Sequence, residues 1–337
     1  MTAAEDIISP RARRDFLARP AIEAQLLQAL NDGALANGWL IAGGEGAGKA
    51  TLAFRLARAL LWRERPAGAQ TLDVPETERV FSLVASAGHP DLFVAERKYD
   101  EKKERHATEI SIEVIRELTH FLNHTASMGG WRVAIIDTAD DLNRNSANAL
   151  LKALEEPPPR TAIFVLSAAP GRLLATIRSR CRRLDLRPLE DETVAGFLLR
   201  EGAVANEDEA NRIARVAGGR PGFALSLALG EGRDAIAAVD EFWSAAHGGG
   251  DVSGVAQRLA GKAADGVWPH FHAMLIARLA SEAKSAALAR NDSAGAMAAL
   301  RERLDGLFTR GDAVNLDRMQ IVMAAARAMN AARAPAR

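Results

Sequence analysis

The chain has 337 residues, of which 48% are hydrophobic and 26% charged, the size and balance of a globular protein with two or three domains and a large core. Forty-three lysines and arginines offset forty-three aspartates and glutamates, so no overall field draws the chain to nucleic acid or an anionic membrane. One cysteine, Cys181, excludes an internal disulfide and a Cys-rich zinc site, as suits a reducing cytoplasm, and no apolar run reaches membrane-spanning length.

Near the start, Arg13-Arg14-Asp15-Phe16-Leu17 resembles a twin-arginine export signal, but Glu23, Gln25, Gln28 and Asp32 stand where an apolar core belongs. The segment reads instead as the start of an amphipathic helix. Trp39-Leu40-Ile41-Ala42 is an apolar run suited to a buried strand, and Leu52, Leu56 and Leu60 recur at helical spacing. Between them lies Gly43-Gly44-Glu45-Gly46-Ala47-Gly48-Lys49-Ala50-Thr51, a phosphate-binding loop complete except for its final hydroxyl. The glycines let successive N–H groups point into one concavity, the helix adds its positive end, and Lys49 reaches the outer phosphates. Gly43, Gly46, Gly48, Lys49, Ala50 and Thr51 are therefore the predicted nucleotide contacts. Ala50 stands at the position of the Mg²⁺ ligand, and Thr51, one residue further on a helix, is turned about 100° away. ATP or ADP is the expected ligand, held weakly or non-productively.

Residues 62–88, with Pro66, Gly68 and Pro75, read as an irregular insertion. Asp91-Leu92-Phe93-Val94-Ala95 predicts a second strand, and the charged run from Arg97 to His106 a solvated loop. Ser111 is placed as N-cap of a helix with Val114, Ile115, Leu118, Phe121 and Leu122 on one face. Val133-Ala134-Ile135-Ile136 has the character of a central parallel strand, Ser146 opens another helix that stops at Pro157-Pro158-Pro159, and Ile163-Phe164-Val165-Leu166 predicts a further strand. Alternating strands and helices predict a doubly wound α/β domain over 1–187. Helices over 193–201, 210–217 and 221–229 form a small domain at 188–235. Ala- and Leu-rich helices follow a break at Gly248-Gly249-Gly250 and fill an all-α domain at 236–337.

Asp137, directly after an apolar strand, fits the acid that helps hold Mg²⁺ in P-loop ATPases. Thr138 occupies the next position, where hydrolytic members carry a Glu, and its hydroxyl does not deprotonate near neutral pH. Asp140 and Asp141 read as surface or capping residues. Loop and strand each lack one part, which together indicates a nucleotide fold with weak or absent hydrolysis of its own.

Three segments carry a specific resemblance: Arg132-Val133-Ala134-Ile135-Ile136-Asp137, Asn145 to Pro158 with its Leu150-Leu151-Lys152-Ala153-Leu154-Glu155-Glu156-Pro157 run, and Thr176-Ile177-Arg178-Ser179-Arg180-Cys181. The chain resembles the clamp-loader branch of the AAA+ ATPases, strongly over 35–60 and 107–190. The resemblance implies an AAA+ P-loop domain, a helical lid and a C-terminal collar that joins subunits. It also implies partners: gamma/tau and delta subunits in a heteropentamer, a sliding clamp, and primed DNA contacted through the complex. Arg180 corresponds to an arginine finger that reaches ATP on the neighbouring subunit, and Ser167 to a nucleotide-sensing position. Gly222 falls where ATPase relatives place a phosphate-sensing Arg, with Arg220 out of register. Those relatives hold zinc with four cysteines between the P-loop helix and the next strand; residues 62–90 contain none, so no zinc is expected. Cys181 reads as a buried small side chain. Two rival readings stand beside this one: a self-sufficient ATPase using Lys49, Asp137 and Thr51, and a free-standing DNA-binding module.

Overall fold

A computed structural model of the chain describes residues 8–17, 19–100, 105–248, 250–291 and 293–333. Contacts divide it into two compact units, one ending at Pro188 and the other running from Leu189. The first unit runs α1 (Pro20–Asn31), β1 (Gly38–Ala42), α2 (Lys49–Leu61), α3 (Arg79–Ala85), β2 (Leu92–Ala95), β3 (Tyr99–Asp100), β4 (Arg105–His106), α4 (Ile112–Leu122), β5 (Arg132–Ile136), α5 (Arg144–Glu155), β6 (Thr161–Ser167), α6 (Ala175–Arg180) and β7 (Arg182–Asp185). Five strands form one sheet in the order β2-β5-β6-β1-β7, every pair parallel, as crossover helices require.

Strands β1, β5 and β6 are buried at every residue, and their alternation explains how one apolar run serves two cores. Trp39, Ile41, Val133, Ile135, Phe164 and Leu166 pack with Leu52 and Leu56 of α2. Leu40, Ala134, Ile136, Ile163 and Val165 point the other way, onto Val114, Ile115 and Leu118 of α4 and Leu150 and Leu154 of α5. Helix α2 is buried almost all round, so it forms the spine of its layer.

Several elements differ from the sequence reading. Strand β7 completes the sheet at the edge beside β1, although only Leu184 of its four residues is buried. An edge strand needs one inward side chain, too little to register as an apolar run. The irregular insertion contains α3, where Val80, Phe81 and Val84 supply a short buried stripe. The charged run is not all loop: β3 and β4 pair antiparallel, Tyr99 opposite His106. Helix α5 starts before Ser146, because Asn143 is the cap and accepts from the N–H groups of Asn145 and Ser146; the Ser146 hydroxyl is buried and donates to the Ile110 carbonyl at 2.7 Å. Arg13–Leu17 precede α1, which opens at Pro20, a residue suited to a first helical position. These residues are held by buried Arg58, which donates to the carbonyls of Arg11 and Arg13 and lies over the Phe81 ring.

A buried ionic knot joins α4 to the sheet. Asp91, 1% exposed, accepts from the N–H groups of Ser127 at 2.6 Å and Met128 at 2.8 Å and faces Arg132 at 3.8 Å. Arg132 donates to the carbonyls of Phe121 and Thr125 and stacks over the Phe121 ring at 4.5 Å.

From Leu189 on, the elements among the described residues are all helices: α7 (Asp191–Arg200), α8 (Glu207–Ala217), α9 (Pro221–Ala228), α10 (Glu231–Gly248), α11 (Ser253–Ala260), α12 (Val267–Leu288), α13 (Ser293–Ala313) and α14 (Arg318–Arg333). Helix α10 runs unbroken through residue 235. Trp268, Phe271 and Phe308 stack in the core of this unit, and the Trp268 indole donates to Asp312 at 2.8 Å, giving its polar edge a partner. Among the described residues no helix is long and apolar enough to cross a membrane.

Candidate functional site

Three adjacent strands deliver the site. The register pairs Ala42 with Ser167 and Ile136 with Val165, so Gly43, Asp137 and Ser167 gather at the carboxyl edge of β1, β5 and β6, where open α/β sheets bind ligands. The Gly43 N–H donates to the Ser167 carbonyl at 3.1 Å. A side chain at Gly43 would meet the Leu186 carbonyl oxygen at 3.0 Å, tighter than ordinary packing, so a larger residue fits there only if that wall gives by a few tenths of an ångström. Gly46 and Gly48 adopt φ of 72° and 96°, which turn the chain into α2. The loop leads directly into the first turn of α2, the end of a helix at which backbone N–H groups can hold a phosphate.

Lys49 is 8% exposed and donates from Nζ to the carbonyls of Gly43 at 2.7 Å and Gly44 at 3.0 Å. Its charge also bears on Asp137. Burial holds the Asp137 carboxyl above its usual range, opposed by a hydrogen bond from the Thr138 hydroxyl at 3.2 Å and by the charges of Lys49 and Arg11. Thr138, unable to act as base, is thus a donor to its neighbour. Ala50 packs its methyl against the apolar layer around α2, and Thr51 is half-buried. The loop has the form of a phosphate cradle, and a methyl at 50 offers Mg²⁺ no ligand.

The raised Asp137 predicts a pH effect. A carboxyl whose folded value lies above its unfolded value favours folding while protonated and loses that contribution as pH rises through the folded value. Asp137→Asn mimics the protonated form. Its melting temperature should exceed that of the parent at pH 7, with the gap closing toward pH 4; scanning calorimetry at the two pH values reads this directly.

Asp140 is more than a surface residue. It accepts from the Ser167 hydroxyl at 2.8 Å and from the N–H groups of Ala168 at 2.6 Å and Ala169 at 3.2 Å, clamping the end of β6 to the turn after β5. The Ser167 hydroxyl proton is therefore committed to Asp140, leaving oxygen lone pairs as acceptors. Asp141 pairs with Arg97 at 3.1 Å. Arg180 lies apart from this edge, at the end of α6. Its guanidinium pairs with Glu155 at 2.6 Å and donates to the Thr176 carbonyl at 3.0 Å. Neither the Asp140 clamp nor the Glu155 pair was read from the sequence; the only signal was a carboxylate in each neighbouring motif. Cys181 is buried, and desolvation pushes its thiol up to about 11, which makes it inert at neutral pH. Arg220, at the N-cap of α9, donates to the Ala217 carbonyl at 2.8 Å and stacks over Phe223.

A parallel sheet with a glycine loop between its first strand and a buried helix, and an acid at the end of a nearby strand, defines a P-loop fold. Residues 18–190 match the family described as DNA polymerase III, delta subunit. That match covers half of the chain, which belongs to this family. Among curated proteins the chain is 40% identical over 146 residues to DNA polymerase III subunit delta-prime of Pseudomonas aeruginosa, covering 43% of this chain and 42% of that protein. It is 34% identical over 186 residues to the delta-prime subunit of Escherichia coli (55% and 52%), and 35% identical over 142 residues to the tau subunit of that organism (40% and 22%). The matched part thus spans about half, or less, of each of these relatives.

Proposed function

We propose that the chain is a cytoplasmic clamp-loader subunit of the delta-prime type. In this reading it joins gamma/tau and delta partners in a heteropentamer that opens a sliding clamp and places it on primed DNA. It hydrolyses little or no ATP itself and supplies Arg180 to the ATP held by its neighbour. The observation that carries this reading is the combination of a phosphate nest lacking a metal hydroxyl with an acid whose following residue, Thr138, is its hydrogen-bond donor and no base. Similarity to delta-prime and tau subunits supports the company it keeps.

The nest is the part of the machinery that binds, and the missing hydroxyl is the part that makes binding depend on metal. Titration calorimetry of the isolated chain should give weak ATP and ADP binding that Mg²⁺ barely alters. Ala50→Ser should create a Mg²⁺-dependent gain of about tenfold in ATP affinity, the scale of one added ligand interaction. Turnover by the unmodified chain alone that vanishes on Lys49→Ala would overturn the proposal in favour of a self-sufficient ATPase.

A further inference from the structure

Helices α8, α10 and α12 enclose a groove of about 370 Å³ far in sequence from the phosphate loop. Its floor is aliphatic, with Val239 of α10 and Met274 of α12 among its lining. Its rim is cationic. Arg212 and Arg215, one turn apart on α8, are both exposed, and Arg278 stands opposite on α12. The acid at the rim, Asp240, is already matched by Arg278 at 2.8 Å, and Arg278 is further fixed over the Trp243 ring at 4.4 Å. Three arginines against one carboxylate leave the mouth positive in a chain whose net charge is zero.

We propose that this groove docks an acidic protein segment carrying bulky aliphatic side chains. A free anion would gain nothing from the aliphatic floor. Single-stranded nucleic acid would want aromatic side chains on which to stack its bases, and the lining holds none, while a duplex held through its phosphates would gain nothing from the aliphatic floor. A cavity of roughly 150 Å³ accommodates a benzene-sized group, so the groove takes about two large apolar side chains. Leucines four residues apart on a helix meet that requirement, with flanking glutamates set against the arginines. The inference is independent of any role for the loop or for Arg180.

The test uses the full chain and a fluorescein-labelled helical peptide with two leucines four residues apart flanked by glutamates. Controls are the same peptide with lysines for glutamates, a polyglutamate lacking leucine, and a single-stranded oligonucleotide. Fluorescence anisotropy should show saturable binding of the acidic amphipathic peptide alone. Arg212→Glu with Arg215→Glu should weaken it about tenfold or more, and Ala277→Phe, which fills the groove, should weaken it comparably, while far-UV circular dichroism stays unchanged. The rim arginines are exposed and leave the core intact. No saturable peptide binding, binding indifferent to both variants, or an oligonucleotide that binds with the same sensitivity to the arginines would each overturn the proposal.

Discussion

Replacing Arg180 with alanine should lower ATP hydrolysis at the site it serves by about 10³-fold in the reconstituted complex, while the complex still assembles. The scale is that of an arginine finger supplied in trans to charge developing on a transferred phosphoryl group. Each decade corresponds to about 1.36 kcal/mol, so the finger contributes about 4 kcal/mol. That magnitude decides a competition visible in the structure, where Arg180 pairs with Glu155 at 2.6 Å. Both partners are substantially exposed, and such pairs contribute about 1 kcal/mol or less. In the proposed role, exchanging Glu155 for phosphoryl oxygens would therefore be favourable. Arg180→Lys should fail to rescue, because an ammonium lacks the planar fork. Hydrolysis by the assembled complex, with assembly followed by gel filtration, checks the result; an unchanged rate rejects the assignment.

Asp91→Ala should destabilise the fold by about 3–5 kcal/mol, the cost of breaking one partner out of a buried charged network. The carboxylate is 1% exposed, so the N–H groups of Ser127 and Met128 lose their acceptor in a place water does not reach. Arg132 loses its nearest counter-charge while its own bonds to the Phe121 and Thr125 carbonyls hold it in position. Asp91→Asn keeps one acceptor oxygen and should lose about half as much. Urea unfolding of the two variants measures the difference. A loss below about 1 kcal/mol for the alanine variant would mean that the loop has other partners for its N–H groups.

What the sequence revealed follows from where each residue sits. Strands β1, β5 and β6 are covered on both faces and had to be written as unbroken apolar runs. Strand β7 has one buried residue and α3 has three, so neither left a periodic signal. The phosphate loop is a local device, its glycines and lysine all lying between Gly43 and Lys49, and it could be read whole. Asp140 clamping Ser167, Glu155 pairing with Arg180 and Arg58 holding the carbonyls of Arg11 and Arg13 are contacts between segments far apart in the chain. Such pairs exist only once the sheet has placed them, and one sequence does not announce them.

Gly43 bears on how such a protein ages. Because a methyl group there would press on the Leu186 carbonyl at 3.0 Å, the wall behind the loop favours glycine, whatever lies in front of it. Substitution at this glycine would disturb the packing behind the loop even where the loop does no catalysis. The loop's hydroxyl has no such backing, since Ala50 sits comfortably against the apolar layer. The wall behind the loop therefore constrains position 43 more tightly than position 50.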